Sequence, residues 1–106
     1  MEIKKYYNTY QETIESMDIA NINLAIEKIR QTIDNGNWVF TCGNGGSATT
    51  ASHYATDWGK MRWVNKKKQF KVACLADNVG MLTAYGNDIS YDSVFAESLS
   101  NYGSSG

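Results

Sequence analysis

The apolar run Trp38 to Cys42 breaks abruptly into Gly43-Asn44-Gly45-Gly46-Ser47 and passes at once into a stretch of helical character. This succession of strand, glycine turn and helix constrains the fold more than any other feature of the chain. Three glycines in four positions let the backbone take positive φ and approach a ligand that a Cβ would obstruct. Ser47 is expected to cap the following helix. The first free N–H groups of that helix, the Ser47 hydroxyl and the positive end of the macrodipole together suit a dianionic phosphate. A glycine turn that carries no ligand would have the same spacing. The loop lacks the Gly-Lys-Ser/Thr ending of a P-loop and the last glycine of a dinucleotide fingerprint, so no nucleotide cofactor is expected.

The remaining elements follow from periodicity. Ile3, Tyr6, Tyr7, Tyr10, Ile14 and Met17 recur at three-and-four spacing, which predicts an amphipathic helix over 2–17 with an aromatic stripe that something must cover. A second helix is expected over 21–34, with Ile22, Ile26, Ile29 and Ile33 on one face and Gly36 as its stop. After the buried strand Trp38 to Cys42, a helix should run from Ser47 to about Trp58 and end at Gly59. Gln69 to Ala76 reads as a second strand, Asn78 to Tyr85 as a short helix, and Ser90 to Tyr102 as another with Val94, Phe95 and Leu99 inward. Such alternation implies an α/β fold with a parallel sheet and right-handed crossovers. Two parallel strands make a poor sheet. Residues 1–36 therefore read as N-terminal helices forming an oligomer interface, and 37–106 as the first part of a larger α/β domain, with a small domain completed by oligomerisation as the alternative.

Composition narrows the partners. A net charge of -1 provides no global field for nucleic acid or membrane, and no apolar run approaches the length of a spanning helix. The polar N-terminus has no apolar core of a secretory signal, which points to the cytoplasm. Cys42 and Cys74 each lie in an apolar, strand-like run, as buried reduced thiols do; neither has a charged activator nearby in sequence. Lys60, Arg62, Lys66, Lys67, Lys68 and Lys71 gather six of the ten basic residues into one expected connection, either a clamp for an anion or a solvated loop.

Cys42-Gly43-Asn44-Gly45-Gly46-Ser47, followed by Ala51, His53 and Tyr54, resembles the sugar isomerase (SIS) domain, and within it the phosphoheptose isomerase branch. A second block, Leu82-Thr83-Ala84-Tyr85-Gly86-Asn87-Asp88 with Tyr91 and Val94-Phe95-Ala96, is similar to the same family's segment after its second strand. The resemblance implies a flavodoxin-like parallel sheet in a homotetramer, with the N-terminal helices in the interface. It implies a sugar phosphate substrate, converted from sedoheptulose 7-phosphate to a heptose 7-phosphate for surface polysaccharides. On that reading Gly45, Gly46 and Ser47 lie on the phosphate side, and Asn44, Asn87 and Asp88 line the sugar. Asn87-Asp88 is equally ordinary as a turn after a helix.

Moving a carbonyl by one carbon takes a base beside it, a held enediol and an acid to return the proton. The family's base is a glutamate ten residues beyond the motif serine, and the same count from Ser47 reaches Asp57. Aspartate is one methylene shorter, which would withdraw the proton acceptor by roughly 1 to 1.5 Å, and misplacement of that order can cost about a hundredfold in rate. His53 and Asp57 are four apart and share a helix face, so they are candidate zinc ligands, as in some relatives. A lone histidine is also ordinary in a core or interface. The family's phosphate-binding serine and threonine loop and its C-terminal histidine have no counterpart in these residues, so this chain alone is expected to be inactive. A non-catalytic phosphosugar-binding or scaffold protein of the same fold is the alternative function.

Overall fold

A computed structural model describes residues 2–65 and 69–104. The chain divides into two compact units, Met1–Arg30 and Gln31–Gly106.

The first unit holds helix α1 (Ile3–Glu15) and the start of helix α2 (Ile19–Asp34). Asp18 caps α2: its Oδ1 accepts from the Asn21 amide at 3.0 Å. Helix α2 thus starts at Ile19, two residues earlier than the periodicity predicts. The stripe on α1 is present, with Ile3 73%, Tyr6 55% and Tyr10 57% exposed.

In the second unit, α2 stops as Gly36 anticipates. Gly36 adopts φ +74, the Asn37 amide donates to the Thr32 carbonyl at 2.9 Å, and the Gly36 amide donates to Ile33 at 2.9 Å. These are the paired bonds of a Schellman ending, which needs a left-handed residue. Strand β1 (Trp38–Thr41) pairs in parallel with β2 (Lys71–Cys74), in the register Trp38 with Lys71 through Thr41 with Cys74. Helix α3 (Gly46–Asn65) connects them, and α4 (Val79–Asp88), a 3₁₀ turn (Tyr91–Ser93) and α5 (Val94–Ser100) follow. The α/β class, the parallel pairing and the order of elements are as expected.

Side chains alternate across the pleat. Thr41 Oγ donates to the Ala51 carbonyl of α3 at 2.8 Å, while Phe40, one residue earlier, stacks at 6.1 Å between ring centres on Tyr102 just beyond α5. The core is small: among the described residues Ala51, Cys74, Leu75, Val94 and Ser98 are buried, Val94 most completely.

Several boundaries differ from expectation. Helix α3 passes through Gly59 to Asn65. A mid-helix glycine costs only about 1 kcal/mol relative to alanine, and the good helix formers Lys60, Met61 and Arg62 continue the pattern. An added Cβ at Gly59 would sit 3.6 Å from Val72 Cγ1, so the residue marks where α3 lies against the sheet. Lys60 and Arg62 therefore ride on a helix, and Lys71 belongs to β2, its ammonium donating to the Gly36 carbonyl at 2.9 Å. Lys66, Lys67 and Lys68 lie outside the described residues. Cys42 is exposed, because the strand ends at Thr41 and Cys42 already belongs to the turn; Cys74 is buried as expected. Trp38 is half exposed and Leu99 is 38% exposed; the buried residues of α5 are Val94, as expected, and Ser98, whose hydroxyl lies 3.1 Å from Met81 Sδ. With only two strands, the sheet covers too little area to bury every apolar side chain on it. No helix among the described residues is long and apolar enough to cross a membrane.

Candidate active site

The carboxyl ends of β1 and β2 lie side by side, tied by the Leu75 amide donating to the Thr41 carbonyl at 2.8 Å. In open parallel sheets ligands bind outside this edge. The glycine turn leaves β1 at that edge and feeds α3. A Cβ at Gly43 would fall 2.5 Å from both the carbonyl carbon and oxygen of Ser47, so no other residue lets the turn come this close to the helix. Gly45 takes φ +53, the one left-handed glycine of the loop. An open depression of about 450 Å³ beside the turn is lined by Thr41, Cys42, Ser47, Thr50 and Tyr54 among others.

Ser47 is not the cap. Helix α3 begins at Gly46, the Ser47 amide donates to the Asn44 carbonyl at 2.9 Å, and the Ala48 amide donates to Gly45 at 3.0 Å. The left-handed turn at Gly45 starts the helix two residues sooner than a serine cap would. Among the described residues nothing in the chain accepts from the Gly45 and Gly46 amides or pairs with the Ser47 hydroxyl. These three groups, with the helix dipole behind them, form a short donor array suited to an anion.

The structure brings the second sequence block to this loop. Tyr91, in the 3₁₀ turn after α4, donates its hydroxyl to Asn44 Oδ1 at 2.6 Å across 47 positions of sequence. Asn87 and Asp88 sit exposed at the end of α4, the Asn87 amide nitrogen 3.1 Å from Asp88 Oδ1.

Further along α3, His53 Nε2 lies 3.3 Å from Asp57 Oδ2, and Lys60 Nζ lies 3.3 Å from Asp57 Oδ1. The i,i+4 and i,i+3 spacings put all three side chains on one helix stripe. Asp57 is half exposed, and at 1.5 Å rise per residue its backbone stands about 15 Å along the helix from Ser47. Within this chain the carboxylate and the donor array are thus separate features of one helix. Zinc bonds of about 2.0 to 2.1 Å to nitrogen and oxygen at a tetrahedral angle place two ligand atoms about 3.3 Å apart, so the His53–Asp57 spacing fits two of four positions. No group of three or more such ligands occurs among the described residues.

Two contacts of the candidate site residues were not anticipated, Lys60 with Asp57 and Tyr91 with Asn44. Lys60 was legible only with α3 extended past Gly59, which puts it three residues from Asp57. The Tyr91 contact with Asn44 has no local signal, since nothing at either position reports on a partner 47 residues away.

The chain belongs to the SIS domain family, which matches residues 4–105. It is 30% identical over 105 residues to a phosphoheptose isomerase of Campylobacter concisus, covering 99% of this chain and 54% of that protein. It is 34% identical over 108 residues to a phosphoheptose isomerase of Aliarcobacter butzleri, covering 98% of this chain and 56% of that one. The solved structure of phosphoheptose isomerase from Neisseria gonorrhoeae superposes with a TM-score of 0.76 at 27% identity, over 95% of this chain and 50% of its own. The chain spans about half the length of the curated relatives it matches.

Proposed function

We propose that the protein carrying this SIS-domain chain is a phosphosugar aldose–ketose isomerase acting on sedoheptulose 7-phosphate to give a heptose 7-phosphate for surface polysaccharide. The observation that carries the reading is the donor array of Gly45, Gly46 and Ser47 at the carboxyl edge of a parallel sheet, in a chain similar over nearly its whole length to phosphoheptose isomerases. The amides and the Ser47 hydroxyl take phosphate oxygens. Asn44, Asn87 and Asp88 supply donors and acceptors for sugar hydroxyls.

Asp57 is the candidate base. It removes a proton from the carbon beside the ketose carbonyl, leaving an enediolate; transfer of the hydroxyl proton between its two oxygens and return of the carbon proton to the former carbonyl carbon give the aldose. His53 supports it by holding one carboxylate oxygen. His53 and Asp57 also offer two ligands to zinc, which when bound by two further groups would polarise the carbonyl. The exposed apolar stripe on α1 supports a homo-oligomer, a tetramer by family likeness. Two free thiols fit the reducing cytoplasm.

One observation favours the rival reading of a phosphosugar-binding protein without turnover: both Asp57 oxygens are engaged, by His53 and by Lys60, on a side chain shorter than glutamate. Incubating the full-length protein with sedoheptulose 7-phosphate separates the two. Appearance of the aldose supports the isomerase, and binding without conversion supports the rival.

A further inference from the structure

Asn44 is exposed, stands in the turn that precedes the donor array, and has one bond fixing its side chain, from the Tyr91 hydroxyl at 2.6 Å. The phenol donates to the amide oxygen, within the range of about 2.5–3.0 Å of O–H to O bonds. An asparagine amide has one acceptor oxygen and two N–H donors. With the oxygen occupied by Tyr91, both donors of Nδ2 remain for something outside the chain, and among the described residues none is used within it.

The base on which Tyr91 stands is firm. Tyr91 opens the 3₁₀ turn Tyr91–Ser93, braced by the Ser93 hydroxyl donating to the Ser90 carbonyl at 2.9 Å and followed at once by Val94, the most buried residue of the core. Gly86 lies under the ring, where a Cβ would come only to 3.8 Å from Tyr91 Cδ2. The pair itself is different. Tyr91 is 55% exposed and Asn44 is exposed, so water competes for their bond and it contributes little to folding. Its effect is on orientation.

We propose that Tyr91 is a positioning residue for the glycine loop, holding the Asn44 amide by its oxygen and leaving both Nδ2 donors for the oxygen-rich sugar phosphate. This rests on the phosphosugar reading above. The ligand class follows from the donors: Nδ2 of Asn44, the Gly45 and Gly46 amides and the Ser47 hydroxyl, all on exposed residues of one short segment, can be taken by the several acceptor oxygens of a sugar phosphate.

The test is a double-mutant cycle on the full-length protein, with titration by sedoheptulose 7-phosphate and thermal melting of every variant. Tyr91→Phe keeps the ring and removes the hydroxyl; it should weaken sugar-phosphate affinity and raise KM by about tenfold, the worth of one well-aligned hydrogen bond, with kcat and the melting midpoint unmoved. In an Asn44→Ala background the same change should have no further effect on affinity. A role in folding alone would instead lower the melting midpoint and leave affinity alone, which overturns the inference. Equal losses in both backgrounds, or Tyr91→Phe binding as tightly as wild type, also overturn it while the functional reading stands. A wild-type protein that binds no sugar phosphate removes the functional reading, and this inference with it.

Discussion

His53 Nε2 stands 3.3 Å from Asp57 Oδ2, one helical turn apart on α3, at the separation two ligands of one tetrahedral zinc ion would have. If the full-length protein supplies the remaining ligands, it should bind zinc, and His53→Ala should weaken that binding by more than the roughly 10- to 100-fold that removal of an outer-shell partner costs. Competition against a chromogenic chelator measures this. Equal zinc affinity for wild type and His53→Ala would leave the pair as an ordinary helix-surface contact.

Gly43 and Gly46 make opposite predictions. A methyl at Gly43 meets Ser47 backbone at 2.5 Å, whereas one at Gly46 meets nothing within 4 Å. Gly43→Ala should destabilise by about 1–3 kcal/mol, in the range of overpacked cores, and disrupt the loop. Gly46→Ala, at the start of a helix, should be neutral or stabilise by up to about 1 kcal/mol. Paired chemical denaturation curves decide the matter, and similar midpoints for the two variants would contradict the loop geometry.

Ser47 should matter for the ligand and not for the fold. Read as a cap, its replacement by alanine would cost about 1 kcal/mol. With α3 beginning at Gly46 and the hydroxyl unpartnered, Ser47→Ala should change stability by less than about 0.5 kcal/mol, as surface substitutions do, while weakening sugar-phosphate binding. Unchanged affinity in a calorimetric titration would remove Ser47 from the site.

The stripe on α1 predicts assembly. Tyr6 and Tyr10 are 55% and 57% exposed in the single chain, on a helix with no buried residue. The protein should sediment as an oligomer, and Tyr6→Asp with Tyr10→Asp should shift it towards monomer by placing charge in an apolar interface. A well-folded wild-type monomer at micromolar concentration would contradict this.

How far the sequence carried these conclusions differs by element. Element type and order were legible because periodicity and glycine punctuation are local: Gly36 ends α2 and the Gly43 to Gly46 turn starts α3. Helix ends were less so. Gly59 looks like a stop, yet its penalty is smaller than the gain from the residues beyond it and from close packing near Val72. The cap at Ser47 failed for a reason visible only in three dimensions, the left-handed φ of Gly45. Leu99 and Trp38 show that apolar spacing reports which face a residue occupies and not whether a neighbour covers it, and Cys42 is exposed because the strand stops one residue short of it. The site was legible where its residues are contiguous. The bond from Tyr91 to Asn44 depends on how α4 and the 3₁₀ turn return to the sheet edge, which no local pattern encodes.

An isomerase reaction with Asp57 as its base is tested most directly by following interconversion of sedoheptulose 7-phosphate and its aldose with the full-length wild type, Asp57→Asn and Asp57→Glu, in metal-free and zinc-supplemented buffer. Wild type should turn over. Asp57→Asn should lose about 10²- to 10⁴-fold in kcat, as a general base does, with substrate affinity nearly intact. Asp57→Glu should retain activity or raise it. An Asp57→Asn variant as fast as wild type would contradict the assignment of the base, and absence of turnover in both wild type and Asp57→Glu, with the sugar phosphate bound by each, would contradict the isomerase itself.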